Sequence, residues 1–393
     1  MTNTELLHIF QSIFNTIEIP RVFFAPGRIN LIGEHTDYNG GHVFPASISY
    51  GTYALGQTRN DQKLRFYSLN FPHTGIIECD LAHLHYAEEH SWANFPKGMI
   101  AYINESGFNI STGMDILFYG DIPNGGGLSS SASIEMVTGV LLEGLFNLPI
   151  DRIKMIQLGQ KVENDYIGVN SGIMDQFAIG KGKKNHAILL DCQTLEYEYA
   201  PLNLKNHVIM IMNTNKQRTL AGSKYNERRV QCESALADLQ TKLQIISLGD
   251  LTKEQFEQNK HLITDETNQK RAKHAVYENE RTVEALQKLQ LGQLEAFGLL
   301  MNESHLSLQH DYEVTGIELD TLVNAAWAQP GVVGARMTGA GFGGCAIAII
   351  EKDCVDRFKI NVNTIYQKII GYDASFYIAT IGDGAREITG GVL

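Results

Sequence analysis

Short apolar runs fill the first third of the chain and then give way to helical spacing. Segments 21–25, 43–49, 52–58, 63–68, 75–80 and 113–119 are rich in aromatic and β-branched residues and are separated by Gly, Asn and Pro turns, which predicts strands. After Gly127 and Leu128, the string SSSASIEMVTGVLLEGLF sets Ile134, Val137, Leu141 and Leu145 at helical spacing. Helices are also predicted over 151–166 and 172–180, with strands at 186–191 and 195–200. Pro201 and the polar stretch 202–207 mark a boundary, and VIMIMNT beyond it predicts a buried strand. The second half is mostly helical, over 223–244, 253–259, 266–289, 291–308 and 315–328. It closes with strands near 332–337 and 343–350, a helix at 353–369 and a strand at 374–380. Strands and helices in separate runs predict an α+β fold. At 393 residues, two domains are expected, 1–203 and 204–393.

Composition narrows the class of function. Hydrophobic content of 44% and charged content of 19% describe an ordinary globular protein. The net charge of −12, from 32 basic and 44 acidic residues, opposes a nucleic-acid or anionic-membrane surface. A phosphorylated ligand stays open, because a few local donors suffice to bind one. The opening residues MTNTELLHIF carry no basic segment with an apolar core behind it, so a cytoplasmic location is expected. Five scattered cysteines, never spaced CxxC, read as mostly buried thiols in a reducing compartment. The 13 histidines show no HExxH-type spacing, so no structural zinc site is expected.

Candidate chemistry concentrates in three strings. Residues 25–41 read APGRINLIGEHTDYNGG and carry Arg28, Glu34, His35 and Asp37 between apolar flanks. Carboxylates and imidazole accept hydrogen bonds from hydroxyls, and the guanidinium fork grips anions, so a loop of this composition suits a polyhydroxylated ligand. A solvated turn between two strands is the plain alternative. Residues 121–135 read DIPNGGGLSSSASIE, and Gly125, Gly126 and Gly127 allow the backbone to approach a ligand closely. Leu128 and the serines Ser129, Ser130 and Ser131 then open a helix whose free N–H groups and dipole face the loop, an anion-binding arrangement. No GxxxxGK[ST] occurs, so Mg²⁺ and the backbone must offset the phosphate charge, with Ser131 and Glu163 as candidate ligands. The third string, MTGAGFGG at 337–344, is by itself compatible with a tight hairpin.

Together these strings closely resemble the three motifs of the galactokinase family within the GHMP small-molecule kinases, in family order and over nearly the whole chain. The resemblance implies a two-domain GHMP fold with a mixed or antiparallel sheet and helices in each domain, and an active site in the interdomain cleft. It implies ATP-dependent phosphorylation of galactose at the anomeric hydroxyl, with ATP and Mg²⁺ bound. VNSGIMDQFAIG at 169–180 resembles the family's GIMDQ segment, which makes Asp175 the group facing the attacking hydroxyl and Arg28 its partner. A guanidinium weakens a neighbouring carboxylate as a base. Phosphoryl transfer, however, has a loose transition state, so the hydroxyl proton can leave late and Asp175 need only orient and finally accept it.

Carried over residue by residue, Glu34, His35, Thr36, Asp37, Gly172 and Tyr225 match sugar-binding positions, and Ser68 a nucleotide contact. Tyr225 also fits a core position, and Trp92 fits either an adenine wall or the core. The departures are small. NGGHVFP at 39–45 lacks the acidic residue that often follows the Asn, and Ala340 stands where Gly is frequent.

Other readings of the same motifs are a kinase for N-acetylgalactosamine, galacturonate or another small substrate, and a non-catalytic galactose and ATP sensor. Intact Ser129–Ser131 and Asp175 oppose the sensor. A dinucleotide fold is opposed by glycines some 120 residues into the chain, outside the GxGxxG frame. A monomer without nucleic-acid or membrane partners is expected.

Overall fold

The computed structural model describes residues 1–123, 126–216 and 221–388. Its strands are β1 (Arg21–Asn30), β2 (His42–Val43), β3 (Pro45–Thr58), β4 (Lys63–Ser68), β5 (Ile77–Asp80), β6 (Met114–Gly120), β7 (His186–Asp191), β8 (Tyr197–Pro201), β9 (His207–Asn213), β10 (Val332–Thr338), β11 (Cys345–Glu351), β12 (Ser375–Ala379) and β13 (Arg386–Glu387). The α-helices are α1 (Asn3–Phe14), α2 (Asn94–Glu105), α3 (Ser130–Phe146), α4 (Arg152–Lys161), α5 (Met174–Lys181), α6 (Ala221–Gln240), α7 (Lys253–Asn259), α8 (Glu266–Gln290), α9 (Leu294–Ser307), α10 (Gly316–Trp327) and α11 (Val355–Ile370). A mixed sheet of order β13-β1-β3-β6-β4-β5 forms the first half, with β2-β7-β8 beside it. An antiparallel sheet of order β10-β11-β9-β12 forms the second. The architecture is α+β, as the separated runs predict. The last strand, β13, crosses back to pair with β1 in the first sheet.

Each sheet has its own core. Met99, Met136, Leu141 and Phe177 pack on the first, and Met212, Phe256, Leu322 and Phe358 on the second. A third apolar cluster joins them: Ile29, Leu31, Phe44 and Leu128 meet Ile211, Phe297, Ile347 and Ile349. Ile29 and Leu31 lie within the Arg28–Glu34 string and Leu128 lies in the glycine- and serine-rich loop, so this seam anchors both strings.

Several elements differ from expectation. The APGRIN segment is strand rather than loop, because β1 continues to Asn30 against β3. The ladder shifts register between Pro26 and Arg28, where Pro26 lacks an N–H to donate. Val43 falls in β2, while the rest of the 43–49 segment from Pro45 and the 52–58 segment form one long strand through Gly51, where a side chain would collide with Ala25 O at 2.3 Å. Helix α1 was not expected, although Thr2 and Glu5 form a capping box and Leu6, Phe10 and Phe14 bury one face. Helix α2 carries Pro96 in its first turn, where proline is tolerated. Of the cysteines only Cys232 and Cys345 are fully buried. Among the described residues no helix is long and apolar enough to cross a membrane.

Candidate active site

The irregular passage of β1 past the phosphate loop places the central cation. Gly27 lies so close to the loop that a Cβ there would stand 2.7 Å from Leu128 O, and the Arg28 N–H donates to that carbonyl at 3.1 Å. The Arg28 side chain turns inward, almost fully buried. Its Nη1 donates to Gly127 O at 2.7 Å, while Nε and Nη2 donate to Asp175 Oδ1 and Oδ2 at 2.9 and 3.1 Å. Asp175 stands in the first turn of α5, and its Oδ2 also accepts from Ser129 Oγ at 2.5 Å. One guanidinium thus ties the phosphate loop to a carboxylate 147 residues away in sequence.

Arg28, Glu34, His35, Asp37, Gly172, Asp175 and Tyr225 border one cavity of about 310 Å³, and Gly126, Gly127, Leu128, Ser129, Ser130, Ser131 and Glu163 form its other side. From the second half of the chain, Gly339 and Ala340 of the third motif join Tyr225 there. Ser68 borders an adjoining cavity of about 270 Å³ with Asn70, Phe71, Trp92 and Phe118, and Ser130 and Ser131 line both. Trp92 is buried and stacks on Phe71 at 6.4 Å, so it is both core and wall. Tyr225 faces the cavity and packs against His35. Thr36 is not brought to the cavity: its hydroxyl donates to Gly33 O and His42 O and closes the turn. Gly125 lies outside the described residues.

Burial sets the electrostatics of the sugar side. Glu34 is pushed up to about 7 by desolvation, against the lowering influence of Arg336. Asp37 is pushed up to about 6 by burial and by the charge of Asp175. His35 is held down to about 3 by burial and by His274, so it stays neutral. His35 Nδ1 lies 2.8 Å from the Tyr38 hydroxyl, whereas Nε2 has no hydrogen-bond partner although it is buried. A buried ring nitrogen at a cavity wall is open to a hydrogen bond from water or from a ligand group in the cavity.

The serine-rich side of the cavity is built differently. Helix α3 starts after Ser129, itself in the left-handed region at φ 64°, so that Ser130 and Ser131 open the helix. Glu163 sits in a π-helical turn, Val162–Ile167, that prolongs α4. Its Oε1 accepts from Ser131 Oγ at 2.6 Å and its Oε2 from Ser171 Oγ, and burial raises its pKa. A hydroxyl beside a carboxylate is an all-oxygen pair suited to Mg²⁺, which takes its remaining ligands from phosphates and water. Among the described residues no group of three or more His, Cys, Asp or Glu is placed to hold a metal by itself.

Ser171, Gly339 and the Asn70–Phe71 wall were not assigned to the site from sequence, and Ala340 was noted only as a departure from the family pattern. Only the third Gly-rich string hinted at two of them.

Three family models match the chain: the galactokinase galactose-binding signature over residues 8–58, the GHMP kinase N-terminal domain over 94–183 and the GHMP kinase C-terminal domain over 282–364. A galactokinase of Exiguobacterium sibiricum is 61% identical over 99% of both chains. One from Ligilactobacillus salivarius is 59% identical over 96% of this chain and 97% of its own. The crystal structure of Lactococcus lactis galactokinase complexed with galactose superposes with a TM-score of 0.97 at 54% identity, covering 98% of this chain and 99% of that one. A mevalonate kinase at 18% identity, with a TM-score of 0.65 over 92% of this chain and 99% of its own, shares the fold.

Proposed function

The chain belongs to the galactokinases of the GHMP kinase family, and we propose that Asp175 and Arg28 serve its reaction at the anomeric hydroxyl of galactose. ATP-dependent phosphorylation of galactose is its activity. The observation that carries the residue roles is the convergence, on one cavity, of the galactose-binding string, the serine-rich loop and the Arg28–Asp175 pair.

Galactose lies in the larger cavity with its hydroxyls on Glu34, His35, Asp37, the Gly172 backbone and Tyr225. ATP runs from the Ser68–Trp92 cavity across Ser130 and Ser131, its terminal phosphate beside Gly126–Ser131. Asp175 accepts a hydrogen bond from the sugar's anomeric hydroxyl and takes its proton as that oxygen bonds to the γ-phosphorus and the bond from phosphorus to the β-phosphate oxygen breaks, releasing ADP. The loose transition state demands little of Asp175 as a base, so its fixed aim matters more than its basicity. Arg28 supplies that aim and stabilises charge spread over the transferring group. Mg²⁺, held by Ser131 and Glu163, would neutralise charge on the phosphates. Ser129 donates to Asp175 and so helps to aim the carboxylate.

We read residues 1–203 and 204–393 as the two domains that enclose the cleft, with β13 returning to pair with β1 of the first sheet. The net charge of −12 opposes nucleic-acid and anionic-membrane partners, and we read the chain as a cytoplasmic enzyme acting as a monomer. Phosphorus NMR of the product from galactose, ATP and Mg²⁺ tests the assignment: a phosphorus coupled to the anomeric proton is expected. Coupling to the carbon-6 protons would overturn the chosen position.

A further inference from the structure

We infer that Arg336, a fully buried cation on β10 of the second sheet, is a positioning residue that aims the Glu34 carboxylate and thereby sets which galactose hydroxyl the enzyme demands. The inference rests on Glu34 being a sugar contact.

The arrangement is a counting problem. An ionised carboxylate offers about four acceptor positions on its two oxygens. Glu34 Oε2 takes Arg336 Nη1 at 2.5 Å and Asn30 Nδ2 at 2.8 Å, and Oε1 takes the Gly339 N–H at 2.8 Å. Among the described residues three positions are filled, so one, on Oε1, remains for a hydroxyl from the cavity that Glu34 borders. Two of the three donors come from the far end of the chain, from β10 and the third Gly-rich motif just beyond it.

Arg336 is itself held on several sides. Its Nε donates to Ser304 Oγ at 3.2 Å and its Nη1 also to Asn30 O at 3.2 Å, while Nη2 makes no hydrogen bond among the described residues and faces the Glu278 charge at 3.7 Å. Glu278 is paired in turn with Arg281 and accepts from Ser304. The guanidinium therefore has little rotational freedom, and neither has the oxygen it grips. A planar fork fixes direction as well as charge, which a lysine ammonium cannot do.

The neighbouring residues reinforce this role. Thr338 Oγ1 accepts from the Asn30 N–H at 2.9 Å and lies 3.1 Å from Asn30 O. A Cβ on Gly339 would stand 2.7 Å from Gly127 O in the phosphate loop. The strand end that carries Arg336 thus touches both the sugar carboxylate and the loop that receives the phosphate.

The test compares kcat/KM for galactose with that for the monodeoxygalactoses lacking a hydroxyl at carbon 2, 3, 4 or 6. Glu34→Gln should erase roughly ten- to hundredfold of the discrimination against one of these sugars only. Arg336→Lys should erase discrimination against that same sugar, and the double variant should lose no more than Glu34→Gln alone. Ser304→Ala, a milder change that frees Arg336 Nε, should weaken the same discrimination by a smaller factor, and it stands in if Arg336→Lys does not fold. If Glu34→Gln weakens all the sugars evenly, Glu34 is not a sugar contact and both readings fall. If Glu34→Gln is selective but Arg336→Lys and Ser304→Ala act evenly, not at all, or multiplicatively with it, the sugar contact stands and the role of Arg336 is overturned.

Discussion

Arg28 grips both carboxylate oxygens of Asp175, through Nε at 2.9 Å and Nη2 at 3.1 Å, while its remaining nitrogen holds Gly127 O. The pair therefore sits between the loop that would receive the phosphate and the cavity that would receive the sugar. Asp175→Asn preserves the shape but replaces one acceptor oxygen with an amide that faces the guanidinium. Galactose binding, measured by calorimetry, should stay within a few-fold of the parent while turnover falls by at least about a thousandfold. Turnover within tenfold of the parent would remove Asp175 from the chemistry.

Arg28→Ala tests the cation separately. It removes a transition-state donor and leaves Asp175 with Ser129 as its remaining partner, so the carboxylate loses its aim. A loss of roughly one to a few kcal/mol in barrier, about tenfold to thousandfold in kcat, is expected. A change confined to the KM for galactose would instead make Arg28 a binding group.

The three motifs were legible because each is a local string. Their convergence was not, since it depends on long-range packing: Arg28 meets Asp175 only because β1 bulges at Gly27 against Leu128 O. The APGRIN string looked like a loop because Pro and Gly are turn residues. Their positions opposite β3 made them a strand irregularity instead. Helix α1 was missed although Leu6, Phe10 and Phe14 recur at helical spacing behind a capping box. The hydroxyl of Thr36, expected among the sugar-binding positions, lies on Gly33 O and His42 O in the turn. Nothing local marks Arg336 as a partner of Glu34, because the two residues are 302 positions apart, from 336 to 34.

The sugar side should respond to mild acid. Glu34 is pushed up to about 7 and Asp37 to about 6, chiefly by burial, with Glu278 and Asp175 respectively adding to the shift. As pH falls through 7 and then 6, each carboxylate gains a proton and loses acceptor capacity for a hydroxyl. The KM for galactose should therefore climb on acidification, and Glu34→Gln should abolish the upper step. Unfolding does not explain such a climb. A carboxyl whose folded pKa exceeds its ordinary value binds protons more readily when folded, so this pair destabilises the fold as pH rises toward 7 and the penalty is relieved as pH drops. A galactose KM that is flat from pH 8 to 5.5 would count against both groups as sugar acceptors.

Glu163 and Ser131 present a carboxylate and a hydroxyl 2.6 Å apart on the phosphate side. Glu163→Gln keeps the hydrogen bonding possible but removes the negative charge that a hard cation needs. The Mg²⁺ concentration for half-maximal rate should rise by at least roughly tenfold, with the KM for galactose nearly unchanged. An unchanged Mg²⁺ titration would place the ion on other ligands.

Gly172 offers the sharpest steric test of the sugar side. A Cβ there would fall 1.9 Å from Asp37 Oδ2 and 2.2 Å from Asp37 Cγ, so an alanine must expel that carboxylate. Asp37 has somewhere to go, because a third, polar cavity of about 290 Å³ is also bordered by Asp37 and Gly172, together with Gln157 and Gln160. The fold should therefore survive Gly172→Ala, with a melting temperature within a few degrees of the parent. Displacing a positioned group by about 1 Å can cost on the order of a hundredfold, so kcat/KM for galactose should fall by about that factor while the KM for ATP holds. Gly27→Ala provides the contrast. Its methyl group would meet the Leu128 carbonyl at 2.7 Å, backbone that cannot swing aside, so that variant should lose stability and the response to both substrates together. If Gly172→Ala behaved in the same way, Asp37 would be a structural carboxylate and not a movable sugar contact.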